Sequence, residues 1–313
     1  MNRLALPFCL LLTVSAALAL AASWPHDTSD LKPDPAAQFG MLDNGLRYVI
    51  LPNQEPPGRA SLRLYMDVGS LMEEDDQQGM AHFLEHMAFN GSRHFPAGEM
   101  VEYFQRLGMA FGADTNAHTS FNETVYKLEL PKVEQALLED AMKLFRDYLD
   151  GMDLKASEID RERGIILSEK LSRDSIDYRT MVEGYKFALP KSLLPNRLPI
   201  GIEETIKSMP RERFVDFYEK WYTPRRACIV AVGDFPDTQA LVKLIEAHFS
   251  DAKPRREDAA NPDLGVVEKG VGLTAKLHTE MEAKAVDMSI EVNRQIAPKP
   301  DTAAERKARL VRS

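Results

Sequence analysis

The chain has 313 residues and a net charge of −9, and 44% of its residues are hydrophobic and 28% charged. This length allows one large domain and part or all of another, and the composition excludes a disordered or fibrous protein. The acidic balance disfavours nucleic acid as a partner but says little about a peptide substrate.

The N-terminus has the order of a secretory signal peptide. Arg3 precedes an apolar run over 4–20, and Ala21, Ala22 and Ser23 follow as small residues. An uncleaved membrane anchor is the alternative, but the run is at the short end for a spanning helix. We expect removal of residues 1–22 and export of the mature chain, which would be periplasmic or secreted.

Hydrophobic periodicity predicts strands and helices in a mixed order after this segment. The predicted elements are a hairpin start at 41–50, a strand at 60–68, helices at 79–89 and 98–107, a strand at 125–130, helices at 133–149, 157–172 and 210–222, a strand at 227–232 and a helix at 238–249. Because strands and helices do not alternate strictly, this order favours an α+β fold with a mixed, mainly antiparallel sheet packed by helices.

A change of composition divides the chain. Residues 38–250 form the predicted first domain, and 251–264 read as a linker because they are rich in charge, proline and alanine without periodicity. A new start follows, with a predicted strand at 285–292 and a helix at 302–311. We interpret 265–313 as the start of a truncated second domain.

The segment His82-Phe83-Leu84-Glu85-His86 carries the clearest chemical signal. On a helix, residues four apart share a face, so both imidazoles can reach one metal ion, and Glu85 lies beside the second of them. Three protein ligands and one open position suit catalytic zinc, and a nearby carboxylate can take a proton from zinc-bound water. Chance spacing on a solvated helix is the alternative, but the apolar neighbours indicate a partly buried helix whose polar groups need partners.

A third ligand has to come from another part of the chain. The predicted helix at 157–172 offers Glu158, Glu162 and Glu169, and the last two lie two turns apart on one face. From the residues alone, either could bind metal while the other orients a histidine, and a solvated acidic stripe remains an equal alternative.

Residues 79–91 resemble the active-site helix of the pitrilysin/insulinase family, inverted zinc peptidases with an H-x-x-E-H motif. Further similar segments follow in the family's order: Asn116-Ala117-His118-Thr119-Ser120, Glu162 to Glu169, Leu198-Pro199-Ile200-Gly201, and Trp221 to Asp234. The chain is therefore identified as similar to the N-terminal half of such a protease. The resemblance implies an insulinase/mitochondrial-processing-peptidase-like domain followed by the start of a second similar domain.

The resemblance also implies roles for particular residues. His82 and His86 would be zinc ligands, Glu85 the general base, Glu169 the third ligand and Glu162 the supporting acid. The interval from His86 to Glu169 is longer than usual in the family, and Glu162 fits that interval better, but the local context favours Glu169.

The segment 116–120 resembles the family's edge strand, on which a substrate lies as an added strand. Asn116 and Ala117 are therefore candidate substrate-binding residues, and an ordinary polar turn is the alternative. The implied function is a zinc endopeptidase that acts on peptides or unfolded proteins.

Family members close two homologous halves over the active site, and this chain lacks nearly all of the second half. Either a partner half or subunit completes the site, or the chain is a truncated or non-catalytic zinc-binding half with little activity alone.

Overall fold

The computed structural model describes residues 24–268, 272–293, 295–296 and 299–312. One compact unit comprises 34–297, and a smaller one is formed by the described residues of 1–33 and 298–313. The predicted signal peptide, residues 1–22, lies outside the described residues. Among the residues that are described, no helix combines the length and the apolar character needed to cross a membrane.

A six-stranded sheet forms the centre of the larger unit. Its strands are β1 (Gln38–Met41), β2 (Arg47–Pro52), β3 (Ala60–Met66), β4 (Thr115–Thr119), β5 (Thr124–Leu130) and β6 (Ala227–Gly233), in the spatial order β1-β2-β6-β3-β5-β4. Only the β2–β6 pair is parallel among these strands. The sheet is therefore mixed and mainly antiparallel, and β4 is one of its two edges.

Helices pack around this sheet, and their apolar side chains complete its core. They are α1 (Met80–Met87), α2 (Glu99–Arg106), α3 (Gln135–Asp150), α4 (Ala156–Arg173), α5 (Ile176–Ala188), α6 (Glu203–Ser208), α7 (Arg211–Trp221) and α8 (Thr238–Phe249). The smaller unit contains α9 (Ala303–Arg312). This arrangement confirms the predicted α+β fold class.

Most predicted elements are confirmed to within a few residues of their ends. Strand β4 is also confirmed, since it pairs with β5 in antiparallel register from Thr115↔Leu128 to Thr119↔Thr124. Helices α5 and α6 were not predicted. None of the residues of α5 is buried, although Tyr178, Met181, Val182 and Tyr185 have helical spacing in the sequence.

The strand predicted at 285–292 is wrong, because these residues form no strand. Val286, Met288, Ile290 and Val292 do alternate along the chain, but each is at least 74% exposed. Alternation identifies a strand only where a neighbouring strand supplies hydrogen bonds and a core covers the apolar face.

Two glycines bring the chain before α1 against the segment that precedes α6. Gly79 and Gly201 have φ angles of 95° and 69°, a region that side chains with a Cβ rarely adopt. A Cβ on Gly201 would lie 2.4 Å from the Cα of Gly79 and 2.5 Å from the carbonyl oxygen of Gln78. This close backbone contact fixes where α1 begins.

Replacing Gly201 by alanine should lower the free energy of unfolding by at least ~2 kcal/mol, because positive φ and the contact with Gly79 both penalise a Cβ. Urea denaturation would measure the change. Gly184→Ala is the control, since a Cβ at this α5 position meets nothing within 4 Å, and we expect it to be stabilising by ~0.5 kcal/mol. Equal stability of the Gly201 variant and the wild type would contradict the prediction.

Candidate metal and active site

Helix α1 presents the histidines and Glu85 from a largely buried position. Apolar side chains such as Phe83 and Leu84 are fully buried, which fixes the helix against the core. His82 and Glu85 are only 5% and 7% exposed. The imidazole rings of His82 and His86 lie edge to face with centroids 4.7 Å apart, as expected for residues four apart on one helix face.

Helix α4 brings a carboxylate to these two imidazoles. Glu169 Oε2 lies 3.4 Å from His82 Nε2 and 3.4 Å from His86 Nε2. One donor atom from each of the three residues lies within 4.8 Å of the other two. Two imidazole nitrogens and one carboxylate oxygen that converge in this way match the donor set and number of a catalytic zinc site.

Glu162 contacts the Nδ1 side of the His86 ring. Its Oε1 is 2.8 Å from His86 Nδ1, and its Oε2 accepts a hydrogen bond of 2.8 Å from Asn90 Nδ2. Since Nδ1 faces Glu162, the His86 ring directs Nε2 towards Glu169. The geometry thus gives the two glutamates different positions: Glu169 faces both imidazole Nε2 atoms, and Glu162 orients one ring.

The charges of the site suit the binding of a cation. Burial lowers the pKa of His82 to about 4, helped by the neighbouring His86, so this imidazole is neutral at pH 7. Burial also acts to lower the pKa of His86, but the hydrogen bond with Glu162 and the nearby carboxylates raise it above its usual value. Burial acts to raise the pKa of Glu162, but its hydrogen bonds with His86 and Asn90 lower this pKa below its usual value.

Glu85 is linked to the edge strand rather than to the other acids. Thr119 Oγ1, at the end of β4, donates a hydrogen bond of 2.7 Å to Glu85 Oε2. Burial raises the pKa of Glu85, and the bond from Thr119 opposes this shift in part. A carboxylate with a raised pKa can hold a proton after taking it, as a general base needs to do.

The open edge of β4 runs beside this site. Glu129 N–H donates to Asp114 O at 2.7 Å, and Ser120 N–H donates to Glu123 O at 2.8 Å. Because inward and outward backbone groups alternate along an antiparallel strand, the N–H and C=O groups of Ala117 and Thr119 point to the open edge. The backbone of Asn116 faces β5, and its side chain Oδ1 accepts a hydrogen bond of 2.9 Å from Ala117 N–H.

Two other histidines lie apart from the three converging side chains. His94 Nδ1 lies 2.8 Å from Asp147 Oδ1, and His118 Nε2 lies 3.5 Å from Glu123 Oε1. Both rings are largely exposed.

Sequence reasoning missed the group that caps α1. Glu73 is 4% exposed, and its carboxylate accepts hydrogen bonds of 2.9 Å from the backbone N–H groups of Gly79 and Ala81. Arg197 Nε donates to the Glu73 carbonyl oxygen at 2.9 Å. Glu73 lies six residues before Gly79 instead of at the adjacent capping position, so no short motif indicates its role.

Comparisons with known proteins identify the family of the chain. Residues 48–183 match the model of insulinase (peptidase family M16), and 208–289 match the model of the peptidase M16 inactive domain. The chain belongs to the insulinase family. This confirms the resemblance inferred from the motifs.

The named relatives are zinc proteases and a processing peptidase. A probable zinc protease, PqqL of Escherichia coli, is 36% identical over 247 residues, which are 77% of this chain and 26% of the relative. The chloroplastic stromal processing peptidase of Pisum sativum is 37% identical over 224 residues, 71% of this chain and 17% of the relative. The chain spans about a quarter or less of the length of these relatives.

A solved structure shows the same architecture. The first half of the periplasmic protease PqqL from Escherichia coli superposes with a TM-score of 0.71 at 34% identity. The match covers 76% of this chain and 50% of that structure. The likeness therefore lies with the N-terminal half of that protease.

The protonation of Glu73 predicts a pH dependence of stability. Burial raises its pKa from 4.5 to about 8, against the backbone hydrogen bonds from Ala81 and Gly79 and the charge of Arg197. Between these values the folded chain holds a proton that the unfolded chain has lost. Stability contributed by Glu73 is thus complete below pH 4.5 and declines as the pH rises to about 8, by up to ~1.4 kcal/mol per pH unit.

Glu73→Gln cannot titrate, so the stability advantage of the wild type over this variant should shrink between pH 5 and pH 8. Urea denaturation at several pH values would measure it. Glu134→Gln, which alters a side chain that is 64% exposed, is the control and should show a constant difference. If the stability advantage of the wild type over Glu73→Gln were also constant, Glu73 would be ionised in the folded chain throughout this pH range.

Proposed function

We propose that this chain carries the catalytic site of a zinc endopeptidase that hydrolyses peptides or unfolded proteins. The observation that supports it most is the convergence of His82 Nε2, His86 Nε2 and Glu169 Oε2 beside a buried glutamate. The relatives named as zinc proteases support the same metal.

His82, His86 and Glu169 would hold the zinc ion, and Glu162 would orient His86. When bound, zinc supplies Lewis acidity that lowers the pKa of a coordinated water molecule to about 7. The choice of Glu169 over Glu162 as the third ligand rests on its distances to the two Nε2 atoms, since Glu162 is already engaged by His86 and Asn90.

Glu85 would act as the general base. Because Thr119 holds its Oε2, its Oε1 remains available to take a proton from the attacking water and later pass it to the leaving amine. Burial of Glu85 excludes competing solvent and raises its pKa, which makes the ionised carboxylate a stronger base.

The open edge of β4 would bind the substrate as an added strand. Backbone groups of Ala117 and Thr119 would form the hydrogen bonds, with the Ala117 N–H exchanging Asn116 Oδ1 for the substrate. Asn116 would also contribute through its pairing with β5. The contact between Thr119 and Glu85 would place the bound backbone next to the general base. Recognition by backbone hydrogen bonds requires an extended peptide or an unfolded segment.

A second homologous half would complete this site, because the structural match lies within the first half of a longer protease and covers 50% of that half. That half would come from another chain or from a longer form of the same protein. The relative with a solved structure is named as periplasmic, and this supports our proposal that the mature chain works after export, in a periplasm or outside the cell. The alternative is a zinc-binding half without activity of its own.

Zinc content and hydrolysis of a quenched peptide library by the purified chain, with and without a chelator, test the proposal. We expect one zinc ion per chain, and we expect Glu85→Gln to keep that zinc but to lower the rate by at least ~100-fold. His82→Ala should lose both zinc and activity, whereas the exposed control Glu134→Gln should match the wild type. Proteolysis retained by Glu85→Gln would refute the role of Glu85, and stoichiometric zinc without cleavage would favour the alternative.

Ala117→Pro tests binding along the edge strand. Proline is tolerated on an edge strand where the lost N–H faces away from the sheet, so the fold should persist. Losing one backbone hydrogen bond should raise KM roughly 3- to 10-fold with little change in kcat. Steady-state kinetics would measure both, and Ala117→Ser, which keeps the N–H, is the control. An unchanged KM would argue against binding at this position.

A further inference from the structure

The two carboxylate oxygens of Glu169 face different partners. Oε2 lies 3.4 Å from both imidazole Nε2 atoms. Oε1 accepts a hydrogen bond from Arg173 Nη2, one turn further along α4. The guanidinium group thus holds the oxygen that is not directed at the histidines.

The ion pair between Glu169 and Arg173 contributes little to folding by itself. The Arg173 side chain is 51% exposed, and exposed pairs at this helical spacing have small effects on stability because solvent screens them and because ordering both side chains costs entropy. The effect of Arg173 should therefore appear in the orientation of Glu169 rather than in the stability of the fold.

We infer that Arg173 is a positioning residue for Glu169, the proposed third ligand. This inference rests on the metal site proposed above. With Oε1 engaged, Glu169 offers a single oxygen to the ion. Two imidazole nitrogens and one carboxylate oxygen then leave the fourth position of a tetrahedral zinc site to water. A freely rotating Glu169 would lose that freedom when it bound the ion, and this entropy cost would weaken binding.

The three candidate ligands are held in place by different contacts, and Arg173 supplies the contact that holds Glu169. His86 is oriented by Glu162 through a hydrogen bond of 2.8 Å. His82 Nδ1 is buried and has no hydrogen-bond partner within the described part of the chain, so packing in α1 holds this ring. Glu169 side-chain exposure is 27%, and Arg173 supplies the contact that limits its rotation.

The charge of Arg173 makes the test decisive, because a cation near the site repels a metal ion. If Arg173 acted only through its charge, its removal would strengthen zinc binding. If it orients Glu169, removal weakens zinc binding, and loss of such a hydrogen-bond partner of a ligand typically costs 10- to 100-fold in affinity.

The experiment compares the zinc dissociation constants of the purified full chain and of Arg173→Met by competition with a fluorescent chelator. We expect a 10- to 100-fold weaker affinity for Arg173→Met and near-complete rescue by Arg173→Lys, which restores a donor and the charge. Thermal unfolding of the zinc-free proteins should coincide, which separates positioning from a structural defect.

Lys207→Met is the matched control. It removes one positive charge and an exposed pair of the same spacing, Glu203 with Lys207 in α6. We expect its zinc affinity to equal that of the wild type. Unchanged or tighter binding by Arg173→Met would overturn the inference, whereas absence of zinc from the wild type would instead refute the proposed metal site.

Discussion

The hydrogen bond between His86 Nδ1 and Glu162 Oε1 joins the two helices that carry the candidate ligands. It fixes the rotation of the His86 ring, and it sets the distance between α1 and α4 at which Glu169 Oε2 meets both Nε2 atoms. Because the bond is nearly buried and Asn90 holds the second oxygen of Glu162, the contact is protected from water and resists rearrangement. The site depends on this link, since the ligands come from helices far apart in the sequence.

The start of α1 is fixed as firmly as its end. Glu73 accepts hydrogen bonds from the backbone N–H groups of Gly79 and Ala81. The close contact between Gly79 and Gly201 leaves no room for a side chain at either position. Metal ligands need to be held within a fraction of an ångström, and a short helix anchored at its first turn meets that requirement.

The edge strand β4 and Glu85, the proposed general base, are joined through Thr119. A peptide added to β4 would align with Ala117 and Thr119, and Thr119 in turn contacts Glu85. Substrate binding and proton transfer would therefore depend on the same strand, as catalysis requires when the reacting groups must be held in a fixed geometry. The insulinase-family match covers the residues of this region, and the chain is similar to the solved first half of a longer protease.

Local periodicity determined much of this protein: the α+β fold class, most helices and strands, and the shared face of His82 and His86, because these depend on spacing along a single element. Only the tertiary structure distinguishes the positions of Glu162 and Glu169, since both lie on one face of α4 and the position of α1 sets which of them lies near the Nε2 atoms. The contacts of Glu73 and Arg173, and the failure of the strand predicted at 285–292, likewise depend on which segments meet in space. Sequence specifies local conformation and chemistry, whereas packing between distant segments fixes distances, burial and partners.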